Sequence, residues 1–292
     1  MLSVPHFQVV FTLPGVLRPW ARRNPEVVYG ALFRASAEVL AELGESRWKA
    51  RLGVLSVLHT WSNDLGFHPH VHCLVTGGGL STEGAGWVAS RPAFLFPTRV
   101  MAALLRGKLL DALRCAYADG SLHDPAEMSF ESALRTAYRQ RWVVHVEAPE
   151  GRGVSQATKY LARYVRGVAI SDARIVSMTA THVTYGTRRG EVTLEGPEFV
   201  RRFAEHVLPR RFRQTRYYGL YATAVAQTAF VDAWRAVKTA GLGEEDVSDT
   251  IVVVPRRAAP CCPTCGGVLQ ELSLPDVPWT RPWGGSRVRR PP

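Results

Sequence analysis

The stretch LHTWSNDLGFHPHVHCLVTGGG, Leu58 to Gly79, holds four of the nine histidines in the chain: His59, His68, His70 and His72. It reads as two apolar strands, GVLSVLHTW (53–61) and HVHCLVTG (70–77), joined by a connection over 62–69. Residues two apart in a strand face the same side, so His70 and His72 project together while Val71 turns into the core. His59 lies eleven residues before His70, and a tight antiparallel return sets it opposite that pair. A single histidine on a strand is ordinarily a packed or hydrogen-bonded residue. Three neutral imidazoles converging from neighbouring strands instead make a candidate metal site. His68, at the turn, reads equally well as a solvated loop residue.

Such a site narrows the chemistry. A zinc peptidase would carry H-E-x-x-H on a helix, which this sequence lacks, and a metallo-β-lactamase-like hydrolase would follow its H-x-H with acidic and histidine ligands where this chain continues Cys73-Leu74-Val75. Three neutral ligands leave a cation its full charge and open positions, which suits polarising a phosphate oxygen.

Outward from the hairpin, FQVVFTLP (7–14) is a strand closed by Pro14, and residues 25–43 form an amphipathic helix through Val28, Leu32, Ala35, Val39 and Leu43. Residues 98–117 read as a second helix. After a polar interval come the strand RWVVHVEAP (141–149) and the helix SQATKYLARYVRGV (155–168), opened by Ser155 and closed near Gly167. Paired strands at 173–179 and 182–187, a strand leading through Gly196-Pro197 into a helix, and a helix over 222–240 complete the order. The alternation predicts an α+β fold on a largely antiparallel central sheet flanked by helices. The expected organisation is a catalytic domain over 1–221, a C-terminal helical segment over 222–250 and a Pro/Arg-rich tail over 251–292, where eight prolines fall.

The helix at 155–168 carries the second constellation. Tyr160 and Tyr164 stand one turn apart on one face, with Lys159, Arg163 and Arg166 putting positive charge around them. Such a pair can simply pack a helix onto a sheet. It becomes a pair of nucleophiles if a cation stabilises the phenolate and a phosphodiester is polarised alongside, because a free phenol, with a pKa of about 10, attacks poorly at neutral pH.

Composition agrees with a nucleic-acid partner. The chain has 292 residues, 46% hydrophobic, enough for a real core, with 36 Lys and Arg against 25 Asp and Glu and a formal charge of +11. No apolar run of membrane-spanning length and no signal peptide is seen, which predicts a cytoplasmic protein acting at the nucleoid. The five cysteines are too uneven for a disulfide framework, but CCPTCGG supplies Cys262-x-x-Cys265, half of a structural Zn²⁺ knuckle.

Together, His70-Val71-His72 and the tyrosine helix resemble the HUH endonuclease superfamily, and more closely the two-tyrosine rolling-circle transposases of the insertion sequence 91 family. FQVVFTLP, the histidine hairpin, FLFP (94–97), YLARYVRGVAI (160–170), EFVRRFAEHVLP (198–209) and RYYG (216–219) carry the likeness along most of the chain. The resemblance implies an HUH-like sheet and a transposase that nicks and transfers single-stranded DNA at transposon ends and target. His59, His70 and His72 would hold Mg²⁺ or Mn²⁺, and one of Tyr160 and Tyr164 would form a 5′-phosphotyrosine while the other serves the second cleavage. Lys159, Arg163 and Arg166 would track the DNA backbone. No nucleotide cofactor is expected, and no phosphate-binding G-x-x-x-x-G-K-[ST] loop is present. A replication initiator or relaxase would use the same residues, and a non-catalytic DNA-binding derivative would keep the fold alone. Family members usually carry a cysteine-rich zinc module ahead of the catalytic domain, whereas this sequence starts at the first catalytic strand. Tyr217 stands where relatives tend to have histidine, and Glu147 where a basic residue is common.

Overall fold

Strand pairing around the histidine hairpin sets the architecture. The structure, a computed structural model, describes residues 1–84, 86–125, 128–149, 167–222 and 228–242. β2 (Ala50–Trp61) and β3 (Phe67–Ser81) are its longest strands and pair antiparallel. β1 (His6–Thr12) adds to the other side of β3, β5 (Val144–Glu147) to β1, and β9 (Thr215–Gly219) to β2. The order β5-β1-β3-β2-β9, with the short β4 (Trp87–Ala89) also on β3, makes an antiparallel sheet of six strands among the described residues. The expected α+β architecture, a central antiparallel sheet flanked by helices, is what the chain adopts.

One face of this sheet is the core. Phe7, Val9 and Phe11 of β1, Val71, Cys73 and Val75 of β3, and Val54 and Leu58 of β2 alternate with residues of the opposite face. They meet α2 (Pro25–Trp48) and α3 (Thr98–Ala118). Both helices present apolar residues one turn apart: Val28, Leu32, Val39 and Leu43 on α2, and Met101, Leu105, Leu109 and Leu113 on α3. Pro25 starts α2 at a position where no amide donor is needed, and Lys49, in the left-handed region at φ 49°, ends it. α1 (Arg18–Arg23) and α4 (Phe130–Arg139) close the side of this layer, with Trp20 packed edge-on against Phe130 at 5.2 Å.

A smaller antiparallel sheet, β6 (Ile175–Met178), β7 (His182–Thr187) and β8 (Gly190–Glu195), runs into α5 (Gly196–Ala204). Leu65, at the tip of the β2–β3 turn, is buried with Ala169 and Tyr185. The Tyr185 hydroxyl donates to the Asp64 carbonyl at 3.0 Å and the Arg174 guanidinium to those of Asn63 and Gly186. The second sheet thus clamps the turn that returns the chain from His59 to His70. α6 (Ala229–Thr239) packs Ala229, Ala233 and Val237 onto Leu2, Val4 and Leu220.

Two differences from the sequence reading stand out. β3 starts at Phe67, so the connection is only residues 62–66 and His68 belongs to the strand instead of the turn. The helix expected over 222–240 is seen as Ala229–Thr239, and residues 223–227 lie outside the described residues.

Two stability predictions follow from this frame. Gly219 ends β9 at φ +60°, and a Cβ there would sit 1.9 Å from the Leu52 carbonyl oxygen, itself bonded to the Leu220 amide. Gly219→Ala should therefore cost about 3 kcal/mol, a fall in Tm of roughly 6–12 °C by calorimetry.

His6 is buried, with its Nε2 2.7 Å from the Tyr221 hydroxyl, and burial pushes its pKa down to about 4. The unfolded chain binds this proton near pH 6.5, the folded chain only near 4. The stability held above 6.5 is lost as pH falls to about 4, by roughly 3 kcal/mol for this group. Urea denaturation at pH 7 and pH 4.5 should show His6→Gln losing less stability between the two pH values than the unaltered chain.

Candidate metal centre

The face of the sheet opposite α2 and α3 carries the histidines. His59 pairs with His70 and Val57 with His72 across β2 and β3, while Thr12 and Val10 of β1 pair with His70 and His72. Paired residues point to the same side, so all three imidazoles share one face. One ligand nitrogen from each of His59, His70 and His72 lies within 4.8 Å of the others. Ring centroids are 4.6 Å apart for His59–His72, 4.8 Å for His70–His72 and 5.6 Å for His59–His70.

Protonation and tautomer suit metal ligation. His70 Nδ1 is 2.6 Å from the His68 carbonyl oxygen, which can only accept, so Nδ1 carries the hydrogen and Nε2 keeps its lone pair. Burial, followed by the neighbouring His59 and His68, pushes His70 down to about 3, and burial with His70 and His59 pushes His72 down to about 2. Both rings are neutral at pH 7, the form that binds a cation. The donor set and its spacing fit a divalent metal with room for oxygen ligands.

The surroundings hold the triad in place. Trp61 stacks on His59 at 4.5 Å and 18°, and its ring also meets that of His206 edge-on at 6.1 Å. His206 is structural: Nε2 donates to the Leu65 carbonyl at 3.2 Å, leaving Nδ1 to accept from the Thr60 hydroxyl at 3.2 Å. His68 lies on the same face as His70 and His72, but its Nδ1 accepts from the Arg18 guanidinium at 2.7 Å, and it stands outside the converging set. Neither contact has a local sequence signal, since Arg18 is 50 residues from His68 and Thr60 is 146 from His206.

Tyr160, Tyr164, Lys159, Arg163 and Arg166, like Cys262 and Cys265, lie outside the described residues. Glu147 ends β5, where its carboxylate meets His145 Nε2 at 3.1 Å. No helix among the described residues is long and apolar enough to cross a membrane.

Residues 53–228, more than half of the chain, match the family model "Y2_Tnp: Putative transposase". The chain is 37% identical over 235 residues to "Putative transposase y4qJ" of Sinorhizobium fredii (strain NBRC 101917 / NGR234), covering 75% of this chain and 59% of that protein. It is 29% identical over 253 residues to the transposase for insertion sequence element IS801 of Pseudomonas savastanoi pv. phaseolicola, covering 82% and 60%. The chain thus spans about three fifths of the length of these curated relatives. Among solved structures, the conjugative relaxase TrwC in complex with mutant oriT DNA overlaps 47% of this chain and 65% of its own, with a TM-score of 0.31 at 18% identity. That likeness is too slight to bear on function. The family match spans the histidine hairpin, the tyrosine segment and RYYG, and the chain belongs to the insertion sequence 91 family of two-tyrosine transposases.

Proposed function

We propose that this chain nicks single-stranded DNA at transposon ends and transfers the strand through a 5′-phosphotyrosine, as a rolling-circle transposase. The observation that carries this reading is the convergence of the His59, His70 and His72 imidazoles on one sheet face in a chain of a two-tyrosine family. His59, His70 and His72 would hold Mg²⁺ or Mn²⁺. When bound, the cation supplies Lewis-acid polarisation of the scissile phosphate. The protein residues do the rest. The His68 carbonyl fixes the His70 tautomer, Trp61 backs His59, and the clamped turn keeps the two strands in register.

The oxygen of Tyr160 or Tyr164 attacks phosphorus as its phenolic proton leaves. The bond to the 3′ oxygen breaks, that oxygen takes up a proton, and the 5′ phosphate remains esterified to tyrosine. The ester keeps the energy of the broken bond, so rejoining needs no nucleotide cofactor. Lys159, Arg163 and Arg166 would hold the adjoining phosphates.

The test is an adduct assay on a denaturing gel with labelled single strands from the DNA flanking the gene. A slow band requiring Mn²⁺ or Mg²⁺ is expected. DNA binding with bound metal and no such band would overturn the reading in favour of a non-catalytic derivative.

A further inference from the structure

A basic feature lies along β9, an edge strand of the central sheet among the described residues. A cleft of about 920 Å³ opens there, lined by Arg210, Arg211, Arg213 and Arg216 together with Tyr217, and Glu26 is the one acidic residue among its described lining residues. That volume reaches the upper range of small-molecule pockets, room for more than one nucleotide. Its position follows from local packing. Phe212 inserts against Tyr29 and Phe33, at 5.8 and 6.4 Å, and so leaves its neighbours Arg211 and Arg213 exposed. Arg211 sits at φ +63°, a conformation that a non-glycine residue adopts at some cost. Arg216 lies over the Phe33 ring at 4.4 Å.

Two of the cleft's arginines, Arg211 and Arg213, are exposed at its rim. On α5 nearby in sequence, Arg201 is bonded to Glu198 and Glu205, and Arg202 to Glu198, at 2.7 to 2.8 Å. Arg211 and Arg213 form no ion pair with a described residue. Arginines held apart from carboxylates in a cleft favour a polyanion.

Register ties the cleft to the metal centre. Thr215 and His72 both pair with Val57, so they lie in one row across the sheet, two strand steps or roughly 10 Å apart. Tyr217, two residues on from Thr215, is on the histidine-bearing face and 51% exposed. A flat ring on that face, with exposed Arg211 and Arg213 at the same sheet edge, is a combination that holds single strands, with bases stacked and phosphates neutralised.

We propose that the arginine cleft beside β9 binds the single-stranded DNA that continues from the histidine face, with Arg211 and Arg213 on phosphates and Tyr217 beneath a base. The proposal rests on the reading of that face as the cleavage site. The experiment is fluorescence anisotropy with a labelled oligothymidylate and a duplex of equal length, titrated with NaCl, on the full chain. Its variants are Arg211→Ala/Arg213→Ala, Arg211→Lys/Arg213→Lys and Tyr217→Ala.

The double alanine variant should bind the single strand more weakly, with a log–log salt slope shallower by about 1.4, because each lost phosphate contact removes about 0.7. The lysine variant should keep the slope, and Tyr217→Ala should lose roughly tenfold in affinity at unchanged slope. Affinity and slope equal to those of the unaltered chain in the alanine variants would overturn the proposal, as would equal losses on duplex and single strand. Mn²⁺ titration of each variant should match the unaltered chain. Adduct formation with no effect of the arginines removes the cleft and leaves the proposed function. Arginine-dependent binding with no adduct does the reverse.

Discussion

Replacing His72 by alanine should abolish measurable adduct formation and weaken Mn²⁺ binding beyond detection by calorimetry. His72 is the centre of the triad, its ring within 5 Å of both others, and its ordinary basicity is suppressed because burial disfavours a charged ring. Loss of one of three ligands removes the charge that would stabilise the phosphate at the transition state, several kcal/mol or roughly a thousandfold in rate. The fold should survive, because the deletion lies on the face opposite the α2 and α3 core, and circular dichroism should be unchanged. His70→Ala should act alike. His68→Ala leaves the His70 contact intact, since that bond is to the main-chain carbonyl, and should retain metal binding. Equal metal affinity in His72→Ala and the unaltered chain would remove the triad from the account.

The tyrosines give the second large effect. Tyr160→Phe/Tyr164→Phe deletes two oxygens and little volume, so DNA and Mn²⁺ binding should stay within about twofold while adduct disappears. Each single variant should keep one covalent step and lose the second cleavage or the first, which a substrate carrying two cleavage sites separates. A full-strength adduct in the double variant would place the nucleophile elsewhere.

How far the sequence could be read depended on the range of the interaction. The hairpin was legible because its information is local: a period of two, a turn and His59 at eleven residues from His70. α2 and α3 were legible from apolar residues one turn apart. α4 reads in sequence as a polar interval, although Phe130, Ala133, Leu134 and Ala137 are buried at helical spacing, because alanines at half of those positions mute the pattern. β9 carries no local signal beyond the RYYG motif. Its five residues become a strand through pairing with Gly53–Val57, more than 150 positions away, and no periodicity in TRYYG announces that. The placement of His68 in β3 and its capture by Arg18 are likewise tertiary, as is the pinning of the turn by His206. The arginines of the β9 cleft were visible as charge, but their grouping on the edge beside the histidine face was not.

The most direct measurement is peptide mapping of the covalent product. The chain is incubated with Mn²⁺ and cleavable single-stranded DNA, digested with nuclease and protease, and sequenced by tandem mass spectrometry. The account predicts a nucleotide phosphate esterified to Tyr160 or Tyr164, absent from samples without metal and from His72→Ala. A nucleotide found on any other residue, or on these tyrosines at equal yield without metal, would contradict it.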